Sequence, residues 1–293
     1  MDYELTLYDR IEVIKQVINK YGEENFYLSF SGGQDSTILH HLLDKAIPGN
    51  QIPRVFLNTG IEYLKIVEFV KKLAASDDRF VIIAPSKPIR TILEEYGYPF
   101  KSKEHSAKLR EWQAGNRDTA SMKKYLGEGR FSCPKILRYQ FSDDFDLKVS
   151  QFCCHKLKKE PAKKWARENG RSIVITGMRK EEGGQRGHLS CILTDKNGNV
   201  TKFHPLAVVS EGWIEEFRER ERVEVCELYL EPYNFKRTGC AGCPFNLELE
   251  SQLDTMAIYL PAEKRRCEII WSKVYTEYRR IGFRLKNKVS LWD

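Results

Sequence analysis

Tyr27-Leu28-Ser29-Phe30-Ser31-Gly32-Gly33-Gln34-Asp35-Ser36 is a short apolar run, a glycine pair and the opening of an amphipathic stretch. That order describes a strand turning sharply into a helix. Such a corner gathers several backbone N–H groups in one concavity, and the helix dipole adds partial positive charge there, so the place suits an anion such as phosphate. Gly32 and Gly33 let the backbone bend tightly and approach a ligand without a Cβ in the way. Ser36 offers a hydroxyl, and Asp35 a carboxylate for a metal ion bound to the phosphates. A glycine pair is more often a plain corner, so the loop needs support from the rest of the chain.

Outward from this loop the chain alternates. Leu7, Ile11, Ile14, Ile18 and Tyr21 stand at helical spacing and predict a helix over 6–21. Strands are expected at 26–30, 54–59, 79–84 and 172–176, with helices at 35–46, 62–75, 88–96 and 158–169. Strands alternating with helices imply an α/β fold: a parallel twisted sheet with helices on both faces and right-handed crossovers. Residues 100–150 read as an irregular polar insertion, too long for a simple connection and therefore a lid or a substrate-binding element. Asp195-Lys196-Asn197-Gly198-Asn199 signals a hairpin turn. From about 232 the chain becomes a cysteine-bearing loop and then a helical tail. The expected division is 1–231 and 232–293.

The 293 residues are enough for one large α/β domain and a smaller appendage. No run of about 18 apolar residues and no signal-peptide pattern at Met1-Asp2-Tyr3-Glu4 is present, so a cytoplasmic protein without a membrane partner is expected. The net charge of +7 is unevenly spread: residues 101–140 hold ten Lys/Arg against four Asp/Glu, whereas 211–231 hold eight acids against three bases. Basic segments beside a nucleotide site suit a polyanion such as tRNA or DNA, although they also serve simply to solvate helix faces.

Eight cysteines in a cytosolic chain argue for metal or redox work rather than disulfides. Cys153-Cys154 is an adjacent pair, and Cys240-Ala241-Gly242-Cys243 is a C-x-x-C. The C-x-x-C fits one tetrahedral zinc, two irons of a cluster, or a redox pair. Adjacent side chains diverge, which suits a four-iron cube better than a single ion. Cys133, Cys191, Cys226 and Cys267 lack such company and read as buried thiols.

Ser31-Gly32-Gly33-Gln34-Asp35-Ser36 resembles the S-G-G-x-D-S loop of the PP-loop ATP pyrophosphatases. It is not the Walker loop, since no G-x-x-x-x-G-K-[ST] occurs. The resemblance then widens to the phosphoadenosine phosphosulfate (PAPS) reductase-like family. Cys153-Cys154-His155-Lys156 through Pro161 is similar to its CC…K…P segment, and Thr176-Gly177-Met178-Arg179 through Arg186 to its T-G-x-R…R loop. His204-Pro205-Leu206 with Trp213, Gly239-Cys240-Ala241-Gly242-Cys243-Pro244, and Asn58-Thr59-Gly60 complete the series in the family's order.

This resemblance implies an adenine nucleotide alpha-hydrolase-like, Rossmann-like fold. It implies a nucleotide site at Ser29, Ser31, Gly32, Gly33, Gln34, Asp35, Ser36, Asn58, Thr59, Gly60, Gly177 and Arg179, and catalytic roles for Asp35, Arg179, Arg186 and Lys156. The implied cofactors are ATP, Mg²⁺ on Asp35, and a [4Fe–4S] cluster on Cys153, Cys154, Cys240 and Cys243.

Two departures bear on the activity. Sulfonucleotide reductases use a C-terminal Glu-Cys-Gly-x-His segment whose cysteine attacks sulfur, whereas Phe283–Asp293 contains no cysteine. Asp35-Ser36 is intact, as ATP binding requires, although Gln34 replaces the usual lysine. The expected activity is cleavage of ATP to AMP and pyrophosphate, adenylylating an acceptor such as tRNA or DNA for sulfur transfer from a donor protein such as a cysteine desulfurase. The alternatives are a sulfonucleotide reductase using Cys267 or a partner's thiol, and a non-catalytic nucleotide- and cluster-binding sensor or subunit.

Overall fold

In the computed structural model, which describes residues 2–286, β1 (Phe26–Phe30), β2 (Arg54–Leu57), β3 (Phe80–Ile83), β4 (Ile173–Ile175), β5 (Ile192–Thr194) and β6 (Val200–Phe203) form one sheet in the order β3-β2-β1-β4-β6-β5. All neighbours are parallel except β5, which returns along β6 as an antiparallel edge. Its turn is the expected one. The Asp195 carboxylate accepts from the N–H groups of Asn197 (2.8 Å) and Asn199 (3.0 Å), and Gly198 takes φ +84°.

The chain forms two compact units, each assembled from separated stretches. The first takes residues up to Asn58, Glu62–Ala84 and Pro161–Gly239, and contains the whole sheet. The second takes Thr59–Ile61, Pro85–Glu160 and the chain from Cys240 onward. A boundary near 232 reads only the sequence order, whereas 85–160 folds together with the C-terminal stretch.

In the first unit, α1 (Tyr3–Tyr21), α2 (Gln34–Ala46) and α3 (Leu64–Ser76) surround the early strands. Successive residues of a strand face opposite sides, so the register assigns the layers. Tyr27, paired with Val174, packs against Trp165 and Ala166. Phe30, on the other face, meets His40 of α2 and Phe80 edge-on. The sheet is therefore covered on both sides, as an apolar parallel sheet must be.

At the foot of this unit a fully buried Arg54 donates to the Asp44 carboxylate (2.7 Å), Asn50 Oδ1 (2.7 Å) and His40 Nδ1 (3.1 Å). These bonds satisfy a cation that burial would otherwise make very costly.

In the second unit, α4 (Ile89–Tyr96) precedes α5 (Lys103–Gln113) and α6 (Ala120–Leu126), which lie in the stretch expected to be irregular. Ser102 caps α5 by accepting from His105 N, and Thr119 caps α6 by accepting from Met122 N. These helices turn only a few side chains inward, among them Leu109, Met122 and Tyr125, too few to make a visible apolar period. Next, α7 (Phe152–Cys154) widens into a π-helical turn (His155–Lys159) and leads to α8 (Glu160–Glu168), where the chain crosses back to the first unit. The short helix α9 (Glu211–Arg220), in the first unit, has no counterpart in the expected elements. The tail forms α10 (Leu249–Tyr259), α11 (Pro261–Ile270) and α12 (Ser272–Arg280). Among the described residues no helix is long and apolar enough to cross a membrane.

His40, His105 and His204 are buried, and burial lowers their pKa values to about 3, 4 and 4. Each remains neutral in the folded chain below the ordinary value near 6.5, where the unfolded chain takes up a proton. Stability is therefore expected to be intact above pH 6.5 and to fall between pH 6.5 and 4, by about 1.4 kcal/mol per pH unit for each histidine. Urea unfolding across this range checks the sign, and His105→Gln should flatten the slope.

Candidate functional site

Two groups of side chains carry chemistry, one in each unit. The first lies where β1 ends. Gly33 is extended (φ −81°, ψ 160°) at the N-cap of α2. The Ser31 and Ser36 hydroxyls lie 3.0 Å apart, Ser36 Oγ donates to Gly33 O (2.9 Å), and Gly33 N donates to Ser31 Oγ (3.2 Å). The loop is thus braced from within by its own hydroxyls. Gly32 has φ +71°, and a Cβ there would come within 2.8 Å of Ile66. A Cβ on Gly33 would lie 2.9 Å from the Tyr229 hydroxyl. Gly32 is required by the turn as well as by close approach, and Gly33 by close approach alone.

The segment after β4 passes directly over this helix start. A Cβ on Gly177 would sit 3.0 Å from the Asp35 carbonyl carbon and oxygen, which are backbone and cannot yield. Two residues on, Arg179 is 4% exposed, with Nε 3.3 Å from Asp35 Oδ1 and Nη1 3.2 Å from Glu181 Oε2. Its Nη2 is bonded to Glu211. The Nε–H meets Asp35 without alignment and is a buried donor lacking a proper hydrogen bond among the described residues.

Burial pushes the Asp35 carboxyl up to about 6, with Glu182 and Glu211 adding to the rise and Arg179 opposing it. Its side chain nevertheless keeps 28% of its surface exposed, so the oxygen atoms remain accessible.

Arg186 pairs with Glu182, which also accepts from Arg179 N (3.1 Å) and from Arg237 (2.9 Å). Ser29 stands on β1, and Asn58 follows β2, donating its N–H to Ile83 O (2.9 Å). The expected residues Ser29 to Ser36, Asn58, Gly177, Arg179 and Arg186 all belong to the first unit. Thr59, Gly60 and Lys156 belong to the second.

Sequence reasoning missed Glu181, Glu182, Glu211, Tyr229 and Thr238. The Tyr229 hydroxyl bonds Thr238 Oγ1 (2.6 Å) and meets the Gln34 backbone at the helix start. Glu181 and Glu182, inside the Thr176–Arg186 segment, and Thr238, two residues before Cys240, carried a signal by their position.

The second group is the cysteines. Cys153, Cys154, Cys240 and Cys243 fall in one unit and lie within electrostatic reach of one another. Cys153 donates to Cys154, and this bond, with Lys103, Lys158 and Lys159 nearby, lowers Cys154 to about 6 despite its burial. Burial, then Cys240 and Cys154, pushes Cys243 up to about 12. Among the described residues no three His, Cys, Asp or Glu side chains form a group fit to hold a metal ion. Lys156, in the π-helical turn, pairs with Glu160 (2.8 Å) and rests over the Tyr96 ring.

The C-x-x-C loop is held by a ladder of buried aromatics. Trp271 Nε1 donates to Ala241 O (3.0 Å), Tyr275 OH to Gly242 O, and Tyr278 OH to Pro244 O (2.9 Å). Spacings of four and three residues set these donors on one helical face. Gly242 has φ +60°, and a Cβ there would lie 2.8 Å from Cys267 Cβ. Cys267 is fully buried beneath this loop, and burial pushes its thiol up to about 12. It is a packing residue, closed to a substrate. The end of the cysteine-free tail, 287–293, lies outside the described residues.

The phosphoadenosine phosphosulfate reductase domain matches residues 25–132 and 134–246. The chain therefore belongs to that domain family. Over 109 residues it is 31% identical to the adenosine 5′-phosphosulfate reductase of Allochromatium vinosum, covering 37% of this chain and 41% of that protein. Over 103 residues it is 34% identical to an uncharacterized protein of Methanocaldococcus jannaschii, covering 32% and 25% respectively. The chain thus spans less than half the length of either relative. A phosphoadenylyl-sulfate reductase from Candida auris, solved with phosphate, superposes with a TM-score of 0.45 at 16% identity, over 78% of this chain and 93% of that one.

The Asp35 carboxyl is expected to titrate near pH 6 in metal-free protein, read by carbon-13 NMR of labelled aspartate. Arg179→Met removes the cation that holds the value down, so its midpoint should rise. An unchanged midpoint would remove Arg179 as the partner of Asp35.

Proposed function

We propose that this chain is an ATP pyrophosphatase that adenylylates an acceptor for sulfur transfer. The observation that carries this reading is the braced Ser31–Ser36 loop, with an accessible Asp35 carboxylate at the start of α2. The N–H groups at that helix start suit the β and γ phosphates of ATP. Asp35 suits Mg²⁺: burial, with Glu182 and Glu211 adding to it, raises its pKa, and a divalent cation would favour the carboxylate form.

In the first step an oxygen of the acceptor bonds to the α-phosphorus of ATP. The bond from that phosphorus to the α–β bridging oxygen breaks, and pyrophosphate leaves. In the second, hydrosulfide, freed from a donor protein's persulfide by a thiol reductant that is itself oxidised to a disulfide, bonds to the acceptor carbon, and AMP departs with the oxygen. The first step is driven by position and charge, as phosphoryl transfers generally are. Arg179, committed to Asp35, Glu181 and Glu211, fixes the carboxylate that receives the cation. Arg186, paired with Glu182 and with 41% of its side chain exposed, is the guanidinium assigned to the departing pyrophosphate in this reading. Gln34 supplies no charge, which slows this step relative to a lysine-bearing loop.

Cys153, Cys154, Cys240 and Cys243, gathered in one unit but not, among the described residues, into a closed metal-binding group, offer the thiol chemistry of a [4Fe–4S] cluster, with Cys154 favoured as thiolate and Lys103, Lys158 and Lys159 nearby to offset negative charge. When bound, such a cluster supplies an iron site for handling sulfur. The fitting partners are an adenine nucleotide, a tRNA or DNA acceptor, and a sulfur-donor protein such as a cysteine desulfurase.

A second reading, reduction of a sulfonucleotide to sulfite, is favoured by the named activity of the Allochromatium vinosum relative. Against it stands the burial of Cys267, which leaves that thiol unable to attack.

Protein purified without oxygen should release AMP and pyrophosphate from Mg²⁺-ATP, with stimulation by bulk tRNA or DNA. Asp35→Asn should reduce this by about 100-fold or more, the loss expected when a transition-state charge contact is removed. Sulfite from adenylyl sulfate and a thiol, with ATP untouched, would establish the reductase instead. Tight ATP binding without turnover would establish a sensor.

A further inference from the structure

Phe131 stands at the tip of the loop that follows α6 and leaves 78% of its surface in water. The loop beneath it is firmly built. Cys133 N donates to Tyr125 O (2.7 Å), Ser132 Oγ to Gly129 O (2.7 Å), and Arg138 Nη2 to Gly127 O (2.8 Å). Further along the same segment, the side chains of Cys133 and Leu137 are buried. An exposed aromatic on a braced loop is thus presented outward by the loop's own bonds.

Its surroundings are cationic. Residues 118–138 carry Lys123, Lys124, Arg130, Lys135 and Arg138 against two acids, Glu128 and Asp118, the latter 3.9 Å from Lys123. The Arg130 guanidinium lies 5.7 Å from the Phe131 ring centroid. The bond from Cys133 to Tyr125 ties the loop back to the last turn of α6, which carries Lys123 and Lys124. Besides Phe131, only Ile136 offers exposed apolar surface here. Two such side chains are far too little for the roughly 1,200 Å² that a stable protein interface buries.

The geometry points to a docking surface for single-stranded nucleic acid, with Phe131 stacking on a base while the surrounding lysines and arginines meet the phosphates. A π-face accepts any base, and flanking cations track the backbone, which is how single strands are held without sequence readout. This deepens the preceding proposal by naming its acceptor's chemistry, and rests on that proposal only for what becomes of the bound strand.

The test is fluorescence anisotropy of the full chain with labelled, unstructured 12-mers of RNA and of DNA. Wild type should bind one or both, and the stronger arm identifies the strand. Phe131→Ala should weaken binding at least about 5-fold, while Phe131→Trp retains it. Arg130→Ala with Lys135→Ala should lower the slope of log K against log salt by about 1.4, two phosphate contacts on a single strand. Failure of both oligonucleotides to bind overturns the inference, as does a Phe131→Ala protein that binds like wild type. AMP release from ATP, measured separately on the same preparations, distinguishes the two proposals. Binding without AMP supports this surface and removes the adenylylation reading; AMP without binding does the reverse.

Discussion

The ion pair between Asp35 and Arg179 joins the start of α2 to the segment following β4, and the first unit's site is organised around it. It forms only because Gly177 lets one backbone run against another at 3.0 Å from where a side chain would begin. Arg179 is itself gripped by Glu181 and Glu211, so four charges fix one another's positions. The Asp35 side chain keeps part of its surface exposed, and burial, with Glu182 and Glu211 adding, raises its pKa to about 6 against the pull of Arg179. A carboxylate whose charged form is disfavoured in this way gains from a nearby cation.

The second unit solves a different problem. A C-x-x-C turn must keep its thiols directed while its own carbonyls are buried, and unpaired buried carbonyls are costly. Trp271, Tyr275 and Tyr278 each carry a single polar hydrogen at the end of a large apolar body, and each spends it on one loop carbonyl. Cys267 fills the space below Gly242, so that a Cβ on that glycine would come within 2.8 Å of it. The same arrangement explains why this last described cysteine is packing and not a nucleophile.

Much of the sheet was legible because its parallel strands are dense in apolar residues, as at Phe26–Phe30 and Phe80–Ile83. The loop before α2 was legible as a corner because an apolar run, a glycine pair and then a helical pattern mark a strand turning into a helix. Helices α5 and α6 were not, since they bury few apolar side chains; their caps at Ser102 and Thr119 were the available signal. Nor could local pattern show that 85–160 folds with the C-terminal stretch. Glu182, Glu211 and Tyr229 reach the loop over long separations, and an acid-rich stretch such as 211–231 looks like a solvated helix face in one dimension. The adjacent cysteines and the C-x-x-C were visible as motifs, but their convergence in one unit was a property of the fold.

The central claim is that the loop at the start of α2 receives the β and γ phosphates of a nucleotide. Calorimetric titration with ATP and with AMP, each in the presence of Mg²⁺, tests it most directly. The expected result is ATP binding at least about tenfold tighter than AMP, from charge-assisted bonds to the added phosphates. Equal or tighter binding of AMP would contradict it, because the braced loop would then contribute nothing to phosphate recognition.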